Sequence, residues 1–207
     1  MKNSILTKFF TGYFSFAVLG FLLISYWSTN LIYNHLLGDS VNRLYKYTSV
    51  AADNISMASG NSIEDIRDPE LFFSDFNDVL DCDVLILNAE NELIFSTDET
   101  SASYDNSSNI IIEDFNPDEY EKNHYKINNF YNIYKTDTLS VVHNVEKNEI
   151  TIGYIVAHMP THIIKQRSYD VTLVFYVTYA IILALSLIIF FNFMWVIYIP
   201  LKQIRLA

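Results

Sequence analysis

Two long stretches without a charged side chain constrain what this chain can fold into. Residues 9–38 contain no Asp, Glu, Lys or Arg, and neither do residues 171–201. A helix of roughly 20 apolar residues crosses a bilayer, so each stretch is long enough to span one. All 24 acidic residues fall between Asp39 and Asp170. The sequence therefore predicts an acidic middle part between two apolar segments.

We assign the first transmembrane helix to residues 9–29 and the second to residues 171–195. The apolar runs end in aromatic rings, at Trp27 and at Trp195, and such rings are enriched at the headgroup level of a bilayer. A cleaved signal peptide is the alternative for the first run, and a buried core helix is the alternative for the second. The first run is longer than the roughly 7–15 residues of a signal-peptide core, and no A-x-A-like site follows it, so we favour two membrane anchors.

Four basic residues lie beyond the two apolar runs. They are Lys2, Lys8, Lys202 and Arg205. The positive-inside rule then puts both ends of the chain in the cytoplasm. We expect a two-pass protein of the cell membrane, with residues 1–8 and 196–207 cytoplasmic and residues 30–170 extracytoplasmic.

The composition excludes several classes of function. A formal charge of −11 argues against a nucleic-acid partner, because phosphates need a basic face. One cysteine excludes an internal disulfide and zinc sites built on several thiolates. Five scattered glycines provide no phosphate-cradling loop. The net charge of −15 over residues 39–170 is compatible with a divalent-cation site. We favour a simpler role, in which it keeps the domain soluble and away from an anionic membrane.

The beginning of the middle part is predicted to be helical. Apolar residues spaced three to five apart extend the first membrane helix outward to about residue 59, with Gly38 as a weak point or kink. Asp68 and Pro69 are suited to cap and begin a second helix with an apolar face. Asn116 and Pro117 begin a short helix by the same logic.

Strand patterns dominate the rest of the middle part. Predicted strands cover residues 82–87 and 93–97, which form a hairpin, and then residues 125–134, 138–145 and 150–158. Residues 101–109 are a predicted polar loop. The order of elements predicts an α+β fold, an antiparallel sheet with a long N-terminal helix.

The register of the last two strands decides whether two histidines can meet. With a turn at residues 146–149, His143 is expected opposite Ile152 and His158 opposite Asp137. This register does not bring the two imidazoles together, so we expect no metal site there. We likewise expect Cys82, at the start of a strand, to be a small core residue.

Three stretches resemble the input half of bacterial sensor histidine kinases, with a PAS-like, single-Cache-type domain between two membrane helices. The hairpin DVLILN…LIFST at residues 83–88 and 93–97 is similar to the central hairpin of such domains, with Asn91 in place of the usual Gly of a D-x-x-G turn. LSVV at residues 139–142, followed by GYIV at 153–156, resembles their closing strands. YIPLKQI at residues 198–204 resembles the start of a HAMP linker.

The resemblance implies a receptor that passes an extracellular signal to a cytoplasmic kinase. It also implies a homodimer through the membrane and long helices, with Ala17 and Gly20 permitting close approach. An unknown extracellular ligand would be the signal and a cytoplasmic response regulator the downstream partner. Signal transmission would involve Pro160, Pro200, Leu201 and Ile204. Alternatives are a chemotaxis or cyclic-dinucleotide output, or a stand-alone membrane-tethered ligand-binding module.

No catalytic, cofactor-binding or metal-binding residue is assigned in the chain. None of the five histidines has the sequence context of a phosphoacceptor, and no ATP-binding boxes are present. If the resemblance holds, ATP and Mg²⁺ bind a kinase half beyond residue 207. Tyr125, Phe130, Tyr131 and Tyr154 are the candidate ligand-pocket residues, and packing in the domain core is the alternative that we favour for the 125–134 stretch.

Overall fold

The computed structural model describes residues 5–60, 62–73, 80–97 and 110–200. The chain divides into two compact units. One is His35–Gln166, and the other combines Met1–Asn34 with Arg167–Ala207. We call them the sheet unit and the terminal unit, and each is described by itself.

The sheet unit is α+β and contains a five-stranded antiparallel sheet. Its strands are β1 (Asp83–Asn88), β2 (Leu93–Ser96), β3 (Lys126–Asn128), β4 (Thr138–Lys147) and β5 (Ile150–Pro160). Their order across the sheet is β2-β1-β5-β4-β3, and every neighbouring pair is antiparallel. The predicted fold class is confirmed at this level.

The β1–β2 turn follows from its two asparagines. The side-chain oxygen of Asn88 accepts hydrogen bonds from the backbone N–H groups of Glu90 and Glu92, at 3.0 and 2.9 Å. Asn91 adopts a φ of 64°, and asparagine tolerates this left-handed conformation better than most residues. Asn91 can therefore occupy the position at which the resemblance led us to expect glycine.

The predicted register of β4 and β5 is wrong. Lys147 pairs with Ile150, and a bulge between Val145 and Glu146 shifts the ladder so that Ser140 lies opposite His158. The turn contains only Asn148 and Glu149, whose φ values are 52° and 66°. Two consecutive left-handed residues close a tight two-residue hairpin, so β4 extends to Lys147, two residues further toward the turn than predicted, whereas β5 begins at Ile150 as predicted.

The prediction of one long strand over residues 125–134 is also wrong. Only Lys126–Asn128 pair with β4. Phe130, Tyr131 and Asn132 then have φ values of 41°, 53° and 65°, which end the extended conformation. The chain turns back at this point, and the Phe130 side chain is fully buried.

The prediction for the helix after Asp68 is corrected at its start. Asp68 has a φ of 53° and makes no side-chain capping hydrogen bond, and Pro69–Phe72 form a single 3₁₀ turn. A second 3₁₀ turn, Ile63–Asp65, is held by a capping box in which Ser62 and Asp65 bond to each other's backbone. Residues 74–79 of the predicted helix, like the predicted loop at 101–109, lie outside the described residues.

Helix α2 (Thr29–Ala58) provides the long helix of the sheet unit. Its buried side chains recur every three or four residues, which is the spacing of one helix face; they include Leu44, Thr48, Ala51 and Ile55. Ser56 Oγ donates to the carbonyl oxygen of Glu146 at 2.5 Å, and Lys147 Nζ donates to the Ser59 carbonyl. These two bonds tie the end of the helix to the β4–β5 hairpin.

The terminal unit pairs two long apolar helices. The first is α1 (Ile5–Leu23), which continues through a π-helical turn (Ile24–Ser28) into the start of α2. The second belongs to α4 (Thr161–Phe193), which is followed by a π-helical turn (Met194–Tyr198); α3 is the short helix Asp118–Glu121. Both helices are long and apolar enough to cross a membrane.

Tyrosine hydroxyls join the two helices of the terminal unit. Tyr179 donates to the Ala17 carbonyl at 2.6 Å, Tyr13 donates to the Leu183 carbonyl at 3.0 Å, and Tyr176 donates to Ser25 Oγ at 3.1 Å. A β-carbon added to Gly20 would lie 2.5 Å from the Tyr179 hydroxyl. Small residues in the first helix thus make room for a tyrosine of the second helix in the same chain.

Candidate functional site

A groove with a volume of about 470 Å³ runs along part of the outer side of β4. We call it the edge groove. Its wall residues come from α2, from the segment around α3 and from β4: Tyr45, Ala52, Asp53, Ser56, Pro117, Tyr120, His124, Val142, His143, Asn144 and Glu146. The volume lies within the range of roughly 300–1,000 Å³ that is typical of ligand pockets.

The floor of the edge groove is an open strand edge. β3 pairs with β4 only at Thr138, Leu139 and Ser140. Beyond Ser140, β4 pairs with β5 on one side, and no described strand pairs with it on the other. Backbone N–H and C=O groups of alternate residues point outward from such an edge. The groove therefore offers main-chain hydrogen-bonding groups as well as side chains.

The Tyr45 ring contacts two imidazoles of the groove lining. The Tyr45 ring lies 4.8 Å from the His124 ring and 5.3 Å from the His143 ring, measured between centroids. Burial lowers the pKa of His143, although the nearby carboxylates of Asp53 and Glu146 act in the opposite direction. His143 is therefore neutral at pH 7.

The carboxylates of the edge groove are exposed at its rim. Neither Asp53 nor Glu146 forms an ion pair with any side chain that the structure describes. The described lining includes no Lys or Arg. With His143 neutral and two carboxylates in the described lining, the groove has a net negative charge.

Three of the four predicted pocket residues meet in one aromatic cluster of the domain core, which shares Tyr120 and Val142 with the groove lining. Phe130, Tyr131 and Tyr154 surround the Phe115 ring at centroid distances of 6.0, 6.0 and 5.3 Å. Phe130 is 0% exposed, and Tyr131 and Tyr154 are partly buried against the same cluster. The three side chains pack as core residues here. Tyr125 is partly buried and makes none of these ring contacts.

A polar chain is enclosed within this aromatic core. His158 is fully buried, with its Nδ1 atom 2.8 Å from Ser140 Oγ. Ser140 Oγ in turn lies 3.4 Å from Thr138 Oγ1. The rings of Phe130 and Tyr134 pack on the imidazole at 4.2 and 4.7 Å. Burial lowers the pKa of His158 to about 3, so the imidazole is neutral under physiological conditions.

The structure places two of the four predicted transmission residues. Pro160 ends β5, and Thr161, the first residue of α4, donates from both its backbone N–H and its hydroxyl to the Asp137 carbonyl. Pro200 is helical and is the last described residue. Leu201 and Ile204 lie outside the described residues.

Cys82 is a core residue, as the sequence indicated. Its side chain is 1% exposed. Burial raises the pKa of its thiol to about 12, with Asp83 and Asp81 adding to the effect. A thiol that is enclosed and protonated in this way is unreactive.

Within the described parts of the chain, no three His, Cys, Asp or Glu side chains are grouped to hold a metal ion. His143 and His158 lie on opposite faces of the sheet: His143 meets the Tyr45 ring of α2 edge to face, whereas His158 packs against Phe130. The sequence did not indicate the edge groove, since its residues come from three separate segments. The predicted strand over residues 125–134 concealed it, because a full-length strand there would have covered the outer edge of β4.

Comparisons of the chain with protein families, with curated proteins and with solved structures find no match.

Proposed function

We propose that this chain is the input part of a membrane-bound receptor. In this proposal the two apolar helices cross the cell membrane, the sheet unit lies outside, and both ends lie in the cytoplasm. The sheet unit is a PAS-like, Cache-type sensor domain. A homodimer passes the signal through HAMP-like helices to a cytoplasmic histidine kinase, which binds ATP and Mg²⁺ and phosphorylates a response regulator.

The observation that most favours this proposal is how the sheet unit connects to the apolar helices. β5 ends at Pro160 and α4 begins at Thr161, with no intervening loop. At the other end, α2 runs from Thr29 in the first apolar segment to Ala58 beside the β4–β5 hairpin. Connections without flexible linkers transmit small displacements, because packed elements move as units rather than bending continuously.

A ligand can switch such a receptor only by binding two packings of the domain with different affinity. Coupling free energies between sites are typically about 1–3 kcal/mol. The elements available for the switch are α2, which borders the edge groove, and the β5–α4 junction at Pro160. A change of packing at either one would be passed to the segment that contains Pro200, Leu201 and Ile204.

Cysteine labelling in intact cells tests the topology. Met57→Cys lies at an exposed position of α2 (83% exposed), and Lys8→Cys precedes the first apolar run. We expect a membrane-impermeant maleimide to label Met57→Cys in intact cells and Lys8→Cys only after permeabilisation. The native Cys82 is too buried to add background. The reverse pattern, or labelling of both sites in intact cells, would refute the topology.

The genomic sequence after codon 207 tests the output. A continuing reading frame with a phosphoacceptor histidine helix and ATP-binding boxes supports the kinase. A chemotaxis signalling helix or a cyclic-dinucleotide enzyme would keep the receptor and replace the kinase. An immediate stop codon would rule out an output domain within the same polypeptide and leave a tethered binding module.

A further inference from the structure

We propose that the edge groove binds a short, extended peptide with basic side chains, which adds to the sheet as a strand beside β4. The inference concerns only the sheet unit and is tested by binding, so its failure would leave the membrane topology unaffected.

The first argument is the unpaired main chain. β4 is ten residues long, but its described outer partner covers only Thr138–Ser140. The groove lies against Val142, His143 and Asn144, immediately beyond Ser140, which pairs with Lys126, the first residue of β3. An extended peptide can satisfy the outward N–H and C=O groups there as a further strand of the sheet.

The second argument is the shape of the groove. Tyr45, Asp53 and Ser56 of α2 line the groove together with Pro117, Tyr120 and His124 from the segment around α3. The rings of Tyr45 and His124 are in contact, with their centroids 4.8 Å apart, so the groove is bounded where they meet. Unprotected strand edges promote aggregation, and a bounded groove admits a short segment more readily than the edge of another sheet.

The third argument is charge. Asp53 and Glu146 are the charged groups of the lining, and both lack an ion-pair partner among the described residues. The nearby Lys147 is not among the lining residues and forms no ion pair with either carboxylate; its ammonium group donates to the Ser59 carbonyl instead. An arginine or lysine of the peptide would pair with these carboxylates, and its cation would find an aromatic face in Tyr45.

The binding test uses the full chain in lipid nanodiscs and a fluorescein-labelled acetyl-Val-Arg-Val-Arg-Val-amide probe, with fluorescence anisotropy as the readout. We expect saturable binding by the wild type. The double variant Asp53→Asn/Glu146→Gln should bind at least tenfold more weakly. A matched double variant, Glu70→Gln/Glu90→Gln, removes two exposed charges outside the groove and should bind within twofold of wild type. Thermal melting by circular dichroism checks that both variants fold.

Backbone methylation of the probe tests strand addition separately from charge. Two isomers of the probe carry N-methyl groups on alternate amides. Because alternate amides of a strand point to opposite sides, one isomer should lose binding at least tenfold and the other should bind like the parent. Equal binding of both isomers would overturn strand addition. Equal binding by wild type and Asp53→Asn/Glu146→Gln, absence of binding at millimolar probe, or complete displacement by equimolar agmatine would overturn the proposal as a whole.

Discussion

His158 shows how a single buried residue links stability to pH. The imidazole is enclosed by Phe130 and Tyr134, its Nδ1 atom meets Ser140, and its Nε2 atom has no hydrogen-bond partner among the described residues. A proton on this ring would be a buried charge without a counter-ion, which is costly. Burial lowers its pKa to about 3, compared with about 6.5 for an unfolded histidine.

We expect this histidine to make the folded state less stable in mild acid. Between pH 6.5 and 3 the unfolded chain binds a proton that the folded chain does not, so stability falls as pH falls, by up to about 1.4 kcal/mol per pH unit. His158→Gln cannot titrate and should flatten this slope, whatever its effect on stability at pH 7. Chemical denaturation of both proteins between pH 7 and 4.5 measures the slopes. Identical slopes would contradict the prediction.

Substitution by alanine is expected to destabilise the protein at one glycine of the sheet unit and to stabilise it at another. A β-carbon at Gly153 would collide with the Leu87 carbonyl oxygen and lie 2.6 Å from Ile63 Cδ1, whereas one at Gly38 would meet nothing within 4 Å. Gly153→Ala must displace the backbone of β1 and should cost about 1–3 kcal/mol or more. Gly38→Ala lies within α2 and should stabilise by about 0.5–1 kcal/mol.

Thermal unfolding of the two glycine variants and the wild type measures this difference. Each substitution adds one methyl group, so each is the control for the other. A Gly153→Ala protein as stable as wild type would contradict the prediction, because it would show that β1 and β5 can move apart at this point without loss of stability.

At the scale of elements, the two apolar helices are expected to depend on the contact between Gly20 and Tyr179. The Tyr179 hydroxyl reaches the Ala17 carbonyl across Gly20. Hydrogen bonds between membrane helices contribute about 0.6 kcal/mol on average. Tyr179→Phe should therefore destabilise the full chain by about 0.5–1.5 kcal/mol, and Gly20→Ala should cost at least as much, because the added methyl displaces the hydroxyl.

A double-mutant cycle tests whether the two residues act through this contact. Gly20→Ala should cost less in the Tyr179→Phe background, where no hydroxyl occupies the space. Tyr26→Phe is the matched control, since Tyr26 is 76% exposed and has no hydrogen bond in the described structure. Strictly additive effects of Gly20→Ala and Tyr179→Phe would argue against the contact.

At the scale of the whole molecule, we expect two copies to associate. Both apolar helices expose large side chains, among them Phe16 at 72% and Ile189 at 70%. Lipid covers such surfaces in a membrane, so exposure alone does not require a partner. The proposed receptor does require one, since receptors of the kind that this chain resembles work as homodimers.

Light scattering of the full chain in nanodiscs, corrected for lipid, measures the number of copies. The expected protein mass is twice the 24.0 kDa of one chain. Because Ala17 and Gly20 already face Tyr179 in the same chain, a dimer should survive Gly20→Ala. A monomer over micromolar concentrations would contradict the homodimer.

The distribution of charge and hydropathy along the sequence determined which parts of this chain are apolar helices and which part is the acidic domain. The two charge-free stretches, with all acidic residues between them, predict two apolar helices on either side of an acidic domain. The prediction is possible because the length and apolarity that a segment needs to span a bilayer are properties of its own sequence. Short apolar runs and alternating patterns between turn signals likewise identify most of β1, β2, β4 and β5, since both are local properties of a strand sequence. The α+β class follows from the order of these elements.

Only the tertiary structure decided the register, the end of β3 and the edge groove. Asn148 and Glu149 close the β4–β5 hairpin in two residues, and this small difference moved His158 opposite Ser140. The left-handed residues from Phe130 to Asn132 exist because the Phe130 ring is buried against Phe115. These features depend on contacts between segments far apart in the chain, and local sequence patterns do not contain them.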